Sequence, residues 1–352
     1  MRILITGNMG YVGPVVVQHL RRRFPTAHLV GLDLGWFAHC LTTSAPLPET
    51  ALDEQRFGDV REVTAADLAG FDVVVHLAAV SNDPMGLRFE AVTTEINQDA
   101  SVTVARAAAE AGVKHFVFAS SCSVYGFAED GRPRSEEDTV NPLTAYARSK
   151  IGTEVALKAL DNRGMTISCL RFATACGMSP RLRLDLVLND FVAGALANHE
   201  VSVLSDGTPW RPLIHVRDMA RAIEWAATRS SDNGGAFLTV NVGCEAWNFQ
   251  VRQLAEAVGE AVPETSVSIA VSAPPDKRSY RVDFDLYARL APDHQPRETL
   301  AGTIAELRDR LGEEGFADPN YRSSSAIRLV TLEKLIRTGA LTEKLETTRA
   351  AA

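Results

Sequence analysis

Nowhere in the 352 residues does an apolar run approach the ~18 residues of a membrane span. Met1 is followed at once by a strand-like run, with neither a basic leader nor an extended apolar stretch behind it. Neither a membrane segment nor a secretory signal is read, and a cytoplasmic location is expected. Cysteine is sparse: five residues, at 40, 122, 169, 176 and 244, form no CxxC pair. That excludes a disulfide scaffold and a structural zinc site, and no metal is expected. Basic charge is also in deficit, with a formal net charge of -8 and a pI near 5.6. A nucleic-acid or anionic-membrane partner would want the opposite balance. Small anionic ligands stay open, since a few arginines and a helix N-terminus can hold them. Repeats and low-complexity segments are absent. With 46% hydrophobic and 23% charged residues, the chain reads as an ordinary globular protein.

What is present is alternation. Short apolar runs rich in β-branched residues occur at 2–6, 28–33, 71–75, 115–119 and 165–171, and helical patterns lie between several of them, at 11–23, 97–111 and 144–163. Strand–helix alternation predicts an α/β protein with a doubly wound parallel sheet. The unbroken VVV at 73–75 suits a strand covered on both faces. After Arg171 the rhythm changes. Helices are expected near 185–197, 217–228 and 248–261, a Pro-rich stretch at 273–275, and a final helical portion over 297–338. The expected organisation is a cofactor domain over 1–172 with returns near 211–245, a smaller mixed substrate-binding region mainly over 173–340, and a frayed tail over 341–352.

The turn after the first strand reads "TGNMGYVG", with glycines at 7, 10 and 13. Strand, glycine-rich turn and helix is the context of a Rossmann-type dinucleotide site. Gly7 permits the tight turn, Gly10 the approach of a pyrophosphate, and Gly13 close helix packing. The phosphates then face the helix N-terminus near Tyr11. Asp33 ends the second strand twenty residues after Gly13, placed to accept from ribose hydroxyls and to repel a 2′-phosphate, so NAD is expected as cofactor. Glycine-rich turns also occur where nothing binds, and a strand-end acid can simply be solvated.

"AYARSK" places Tyr146 and Lys150 four residues apart on one helix face. A phenol with a pKa near ~10 needs an adjacent ammonium to act as a base near neutrality. A surface pair has the same spacing, so the company matters. "VVHLAAVS" at 74–81 ends one strand with Leu77 and the small residues Ala78, Ala79 and Ser81, and "FASSCSVYG" at 118–126 ends another with hydroxyls. Both fall where the C-terminal edge of a parallel sheet opens into a crevice.

In this order and context the motifs resemble the extended short-chain dehydrogenase/reductase family, NAD-dependent nucleotide-sugar epimerases and dehydratases, over nearly the whole chain. That family's glycine signature is TGxxGxxG. The resemblance implies Tyr146 as catalytic acid/base, Lys150 as its activator and an NAD-ribose ligand, and Ser121 as partner of the reacting hydroxyl. It implies Asp59 and Val60 of "GDV" on the adenine side, and Asn97 as a structural or cofactor-side residue. "RPLIHVRDMA" resembles the segment whose first arginine, here Arg211, clasps the substrate diphosphate. Arg278 resembles a second phosphate-side arginine, with a solvated arginine as the alternative. Asn189 falls where the family hydrogen-bonds a phosphate or sugar. Arg181 and Arg183 steer the anion or face water, one of them expected to face water. Asp218 is read as the cap of the helix it precedes.

The family's 4,6-dehydratases carry an Asp-Glu pair where this chain has Cys122 and Ser123, which disfavours that reaction. Ser123 suits a 4-epimerase, and Thr174 and Cys176 are expected at most to line the pocket. Cys122 is read as a buried small side chain, with a catalytic thiol as the alternative. The expected function is therefore NAD-dependent epimerisation of a nucleotide-diphosphate sugar at C4, in an isomerase that the resemblance makes a homodimer. A keto-sugar reductase or dehydratase, and a non-catalytic NAD-binding protein, are the alternatives.

Overall fold

A computed structural model describes residues 1–42, 46–128, 131–273 and 278–348; Pro274 and Pro275 of the Pro-rich stretch lie outside these. In chain order the elements are β1 (Arg2–Thr6), α1 (Gly13–Arg23), β2 (His28–Asp33), β3 (Glu54–Phe57), β4 (Val73–His76), α2 (Asp83–Arg88), α3 (Glu90–Thr94), α4 (Ser101–Glu110), β5 (His115–Ser121), α5 (Ala145–Ala159) and β6 (Thr166–Phe172). There follow β7 (Thr174–Cys176), α6 (Val187–Asn198), β8 (Glu200–Val203), β9 (Trp210–His215), α7 (Val216–Thr228), β10 (Phe237–Val242), β11 (Asn248–Gln250), α8 (Val251–Ala261), β12 (Ser266–Ile269), α9 (Asp285–Leu290), α10 (Leu300–Glu313) and α11 (Arg328–Arg337).

Seven strands form one parallel sheet in the order β10-β6-β5-β4-β1-β2-β3. The two-residue period of a strand divides its core in two. Ile3, Ile5, Val73 and Val75 pack on one face with Val16 and Leu20 of α1 and Ile223 of α7. Leu4, Val74, Phe116 and Phe118 pack on the other with Val104 of α4 and Leu157 of α5. Strand order reverses between β1 and β4, which places a crevice at their C-terminal ends. The smaller region pairs β11-β9-β7 and β12-β8. No helix among the described residues is long and apolar enough to cross a membrane.

Several elements differ from the sequence expectations. β3 is a polar edge strand, EQRF, with no apolar run to announce it. The helix expected over 97–111 is preceded by α2 and α3 and enters α4 through a π-helical turn, Glu95–Ala100. The span expected helical over 297–338 breaks after α10, where Gly315 takes a positive φ of 67°. Asp218 does not cap α7: His215 does, its Nδ1 accepting from Arg217 N, while Asp218 accepts the amides of Arg297 and Glu298 at 2.9 and 3.1 Å. Residues 341–348, expected to fray, turn back on themselves, with Leu341 bridging Thr347 and Leu345 fully buried.

α1 and α7 are joined by Glu224, 4% exposed, which accepts from His19 Nε2 at 2.6 Å and Arg23 Nε at 2.7 Å. Burial raises its carboxyl pKa, but these hydrogen bonds and charges outweigh it and hold the group down to about 2. A folded pKa below the unfolded value near 4.5 stabilises the fold fully above that value, and the contribution fades as pH falls from there towards 2. Urea melts should therefore show wild type more stable than Glu224→Gln at pH 7, with the gap closing on acidification below pH 4.5. A gap independent of pH would remove Glu224 from acid stability.

Candidate active site

The glycine turn leaves β1 and crosses the crevice. Gly7 has φ of +71°, and a Cβ there would lie 2.7 Å from the amide nitrogen of Ala78, while one on Gly13 would lie 2.3 Å from Asn8 O. Both positions are closed to side chains by backbone. Gly10 differs: its nearest contact would be Gly7 O at 3.3 Å, and it faces the cavity. α1 begins without a side-chain cap or a first-turn acid, and with Pro14 in its first turn. A cradle of this shape at an uncapped helix N-terminus fits a dinucleotide pyrophosphate.

Asp33, at the end of β2, accepts from the amides of Met9 at 3.0 Å and Gly35 at 2.8 Å. Burial raises its pKa, and those two amides oppose the rise. Asp59 caps the turn Val60–Glu62 and is gripped by Arg61, whose Nη2 stands 2.6 Å from Oδ2. Arg61 is itself held by the carbonyls of Lys344 and Leu345, at 3.1 and 3.3 Å. Val60, Leu77, Ala78 and Ala79 line the same cavity. Asn97 fixes the loop after β4, bonding Val80 N and O at 2.8 and 2.9 Å.

At the other end of the cavity, of about 1190 Å³, stand Ser121, Tyr146 and Lys150. Ser121 Oγ accepts the amide of Ser123 at 3.1 Å, which leaves its proton free to donate. Burial and then the carboxylate of Asp83 push the Tyr146 phenol up to about 12, against the hydrogen bond with Ser121 and the charge of Arg183. Lys150 Nζ donates to Ala119 O at 2.7 Å and stands 5.5 Å from the centre of the Tyr146 ring. Burial pushes its amine down to about 8, with Glu154 opposing.

Ser81, Ser123, Thr174, Arg211 and Arg278 also line the cavity. Ser81 Oγ accepts from Arg183 at 3.0 Å, and Arg278 pairs with Asp83 at 2.7 Å. The Ser123 hydroxyl is buried without a partner among the described residues. Asn189 is turned inward, its amide accepting from Gly177 N and donating to Tyr11 Oη and Arg183 O. The Tyr11 hydroxyl donates to Gly177 O at 2.6 Å, tying the glycine turn to the chain after β7. Cys122 is fully buried, its thiol donating to Arg171 O, and Cys176 likewise donates to Ile214 O; neither lines the cavity.

Neither Arg181 nor Arg183 faces water. Arg181 pairs with Glu49 at 2.7 Å, and Arg183 with Asp185 at 2.8 Å, beside Tyr146 in the cavity wall. The contact of Arg183 with Ser81, 102 residues apart in the chain, leaves no signal in the sequence. Asn82 and Asp83 were also missed. Asn82 caps α2 ahead of Pro84, a recognisable helix start.

The sequence matches the NAD dependent epimerase/dehydratase family over residues 3–243. It is 30% identical to the UDP-glucose 4-epimerase of Mycolicibacterium smegmatis over 326 residues, 87% of this chain and 97% of that protein. It is 28% identical to the dTDP-glucose 4,6-dehydratase of Streptomyces griseus over 311 residues, 86% of this chain and 93% of that protein. Among solved structures, MoeE5 in complex with UDP-glucuronic acid and NAD superposes with a TM-score of 0.74 at 26% identity, covering 89% of this chain and 99% of that one.

Proposed function

The chain belongs to the NAD dependent epimerase/dehydratase family and is an NAD-using enzyme, and on that premise we propose that it epimerises a nucleotide-diphosphate sugar at C4. The observation that carries this reading is the contact of Tyr146 with Ser121 above Lys150, with a thiol and a hydroxyl, not carboxylates, at 122 and 123. Gly7, Gly10, Gly13, Tyr11, Asp33, Asp59, Val60 and the loop from Leu77 to Ala79 hold NAD in this assignment. Arg211 and Arg278 take the diphosphate by charge-assisted hydrogen bonds, and Ser81, Ser123 and Thr174 meet the sugar.

Bound NAD supplies the hydride acceptor, which becomes the donor on the return step. Tyr146 removes the proton from the sugar hydroxyl while Ser121 donates to the same oxygen. A phenol near 12 needs positive charge to ionise, and Lys150 and Arg183 lie where they supply it. The cavity exceeds the roughly 300–1000 Å³ of one drug-sized ligand, as a cofactor and a nucleotide sugar together require. After oxidation the sugar presents its other face, and Tyr146 returns the proton. The carboxylate pair that would eliminate water is missing from positions 122 and 123.

Denaturing the purified protein and measuring released NAD and NADH by chromatography tests this. About one dinucleotide per chain is expected, since an epimerase regenerates its cofactor within each turnover. Turnover of UDP-glucose to UDP-galactose, or of another nucleotide sugar, should then need no added cofactor. A nearly empty site would favour a reductase that exchanges its cofactor each cycle.

A further inference from the structure

The inward face of α5 carries Tyr146, Lys150 and Glu154, one turn apart. Each reaches a different residue at the end of β5. Tyr146 meets Ser121, Lys150 donates to Ala119 O at 2.7 Å, and Glu154 accepts from the hydroxyl of Ser120. Glu154 is 5% exposed, and Arg171 of β6 fills the rest of its carboxylate, through Nε at 3.1 Å and Nη2 at 2.7 Å. Arg171 continues to the Tyr125 hydroxyl at 2.9 Å, which lies 2.8 Å from Asn241 Oδ1. The first two rungs belong to the site; the third stands behind it.

We propose that Glu154 is a positioning residue, which fixes the end of β5 against α5, keeps Ser121 in register with Tyr146, and holds the buried ammonium of Lys150 in place. The inference rests on the roles given above to Tyr146 and Lys150. A buried ammonium with only a carbonyl acceptor is unfavourable, and a carboxylate one turn away compensates it even while shared with an arginine. The groups facing Lys150 are Tyr146 and Glu154 on α5, the Phe118 ring and Ala119 carbonyl on β5, His76 on β4 and Cys169 on β6. Burial keeps His76 uncharged at neutral pH, pushing it down to about 3, and pushes the Cys169 thiol up. Glu154 is therefore the anion of this set.

The test follows Lys150 itself in the full chain by NMR of protein labelled with ¹³Cε-lysine, titrated with pH. The sequence has six lysines, at 114, 150, 158, 277, 334 and 344, and the Lys150 signal is the one lost in Lys150→Arg. Its wild-type midpoint is expected near 8. In Glu154→Gln it should fall by about one pH unit or more, and Glu154→Asp should recover most of the shift. Where Glu154→Gln fails to fold, the double variant Glu154→Leu/Arg171→Met removes the pair without leaving either partner's charge unpaired and should show a fall in the same direction, though a smaller one, because the Arg171 cation goes with it. A midpoint unchanged in the folded variant overturns the proposal. No sugar is needed, so a chain that turns over no nucleotide sugar yet shows the fall would refute the proposed function and support this inference.

Discussion

Tyr146→Phe is expected to lower kcat about 10²- to 10⁴-fold while the purified protein keeps its NAD. The change removes one oxygen and nothing else of consequence: the ring that packs 5.5 Å from Lys150 Nζ remains, and so does the donation from Lys150 to Ala119 O. Ser121 loses its partner but keeps the amide of Ser123 on its oxygen. The sugar hydroxyl would then lose the phenol that takes its proton, whereas the glycine turn, Asp33 and Asp59 are untouched. Turnover is measured on the nucleotide sugar identified by screening, and NAD by release on denaturation. Activity within about tenfold of wild type would remove Tyr146 from the chemistry.

Gly7→Ala should strip the protein of cofactor and lower its Tm. An alanine at φ of +71° carries a penalty of about 1–2 kcal/mol, and its Cβ would sit 2.7 and 2.8 Å from the amide nitrogen and Cα of Ala78. The clash is backbone against side-chain stem, so no rotamer relieves it, and the β4 loop must retreat. NAD content is expected to fall at least about tenfold, since each ~1.4 kcal/mol is a factor of ten in affinity. Gly10→Ala separates the two effects. Its Cβ meets only Gly7 O at 3.3 Å, so the cofactor-free protein should lose less Tm than Gly7→Ala does while NAD is still lost. Full NAD occupancy in Gly7→Ala would mean that the turn does not carry the cofactor.

The parallel sheet was legible because its central strands are buried on both sides and so cannot hide their apolar runs; VVV at 73–75 is the clearest. β3 was not, since its place at the edge demands no apolar residues and its register is set by the neighbouring β2. The glycine turn could be read because backbone contacts forbid side chains there, a constraint that leaves a mark in sequence. Arg183 left none, because an arginine's burial depends on the partner that folding delivers, here Asp185 and Ser81. Asp218 was misassigned for a similar reason: a cap is identified by proximity in sequence, and its true partners, the amides of Arg297 and Glu298, are some eighty residues away.

The grip of Lys344 and Leu345 carbonyls on Arg61, and of Arg61 on Asp59, has a temporal side. During synthesis the glycine turn and β2 leave the ribosome more than three hundred residues, and Asp59 nearly three hundred, before the carbonyls that orient Arg61. The strand β10 that closes one end of the sheet also follows late. The orientation of Arg61 against Asp59 therefore waits on a segment synthesised long after the glycine turn.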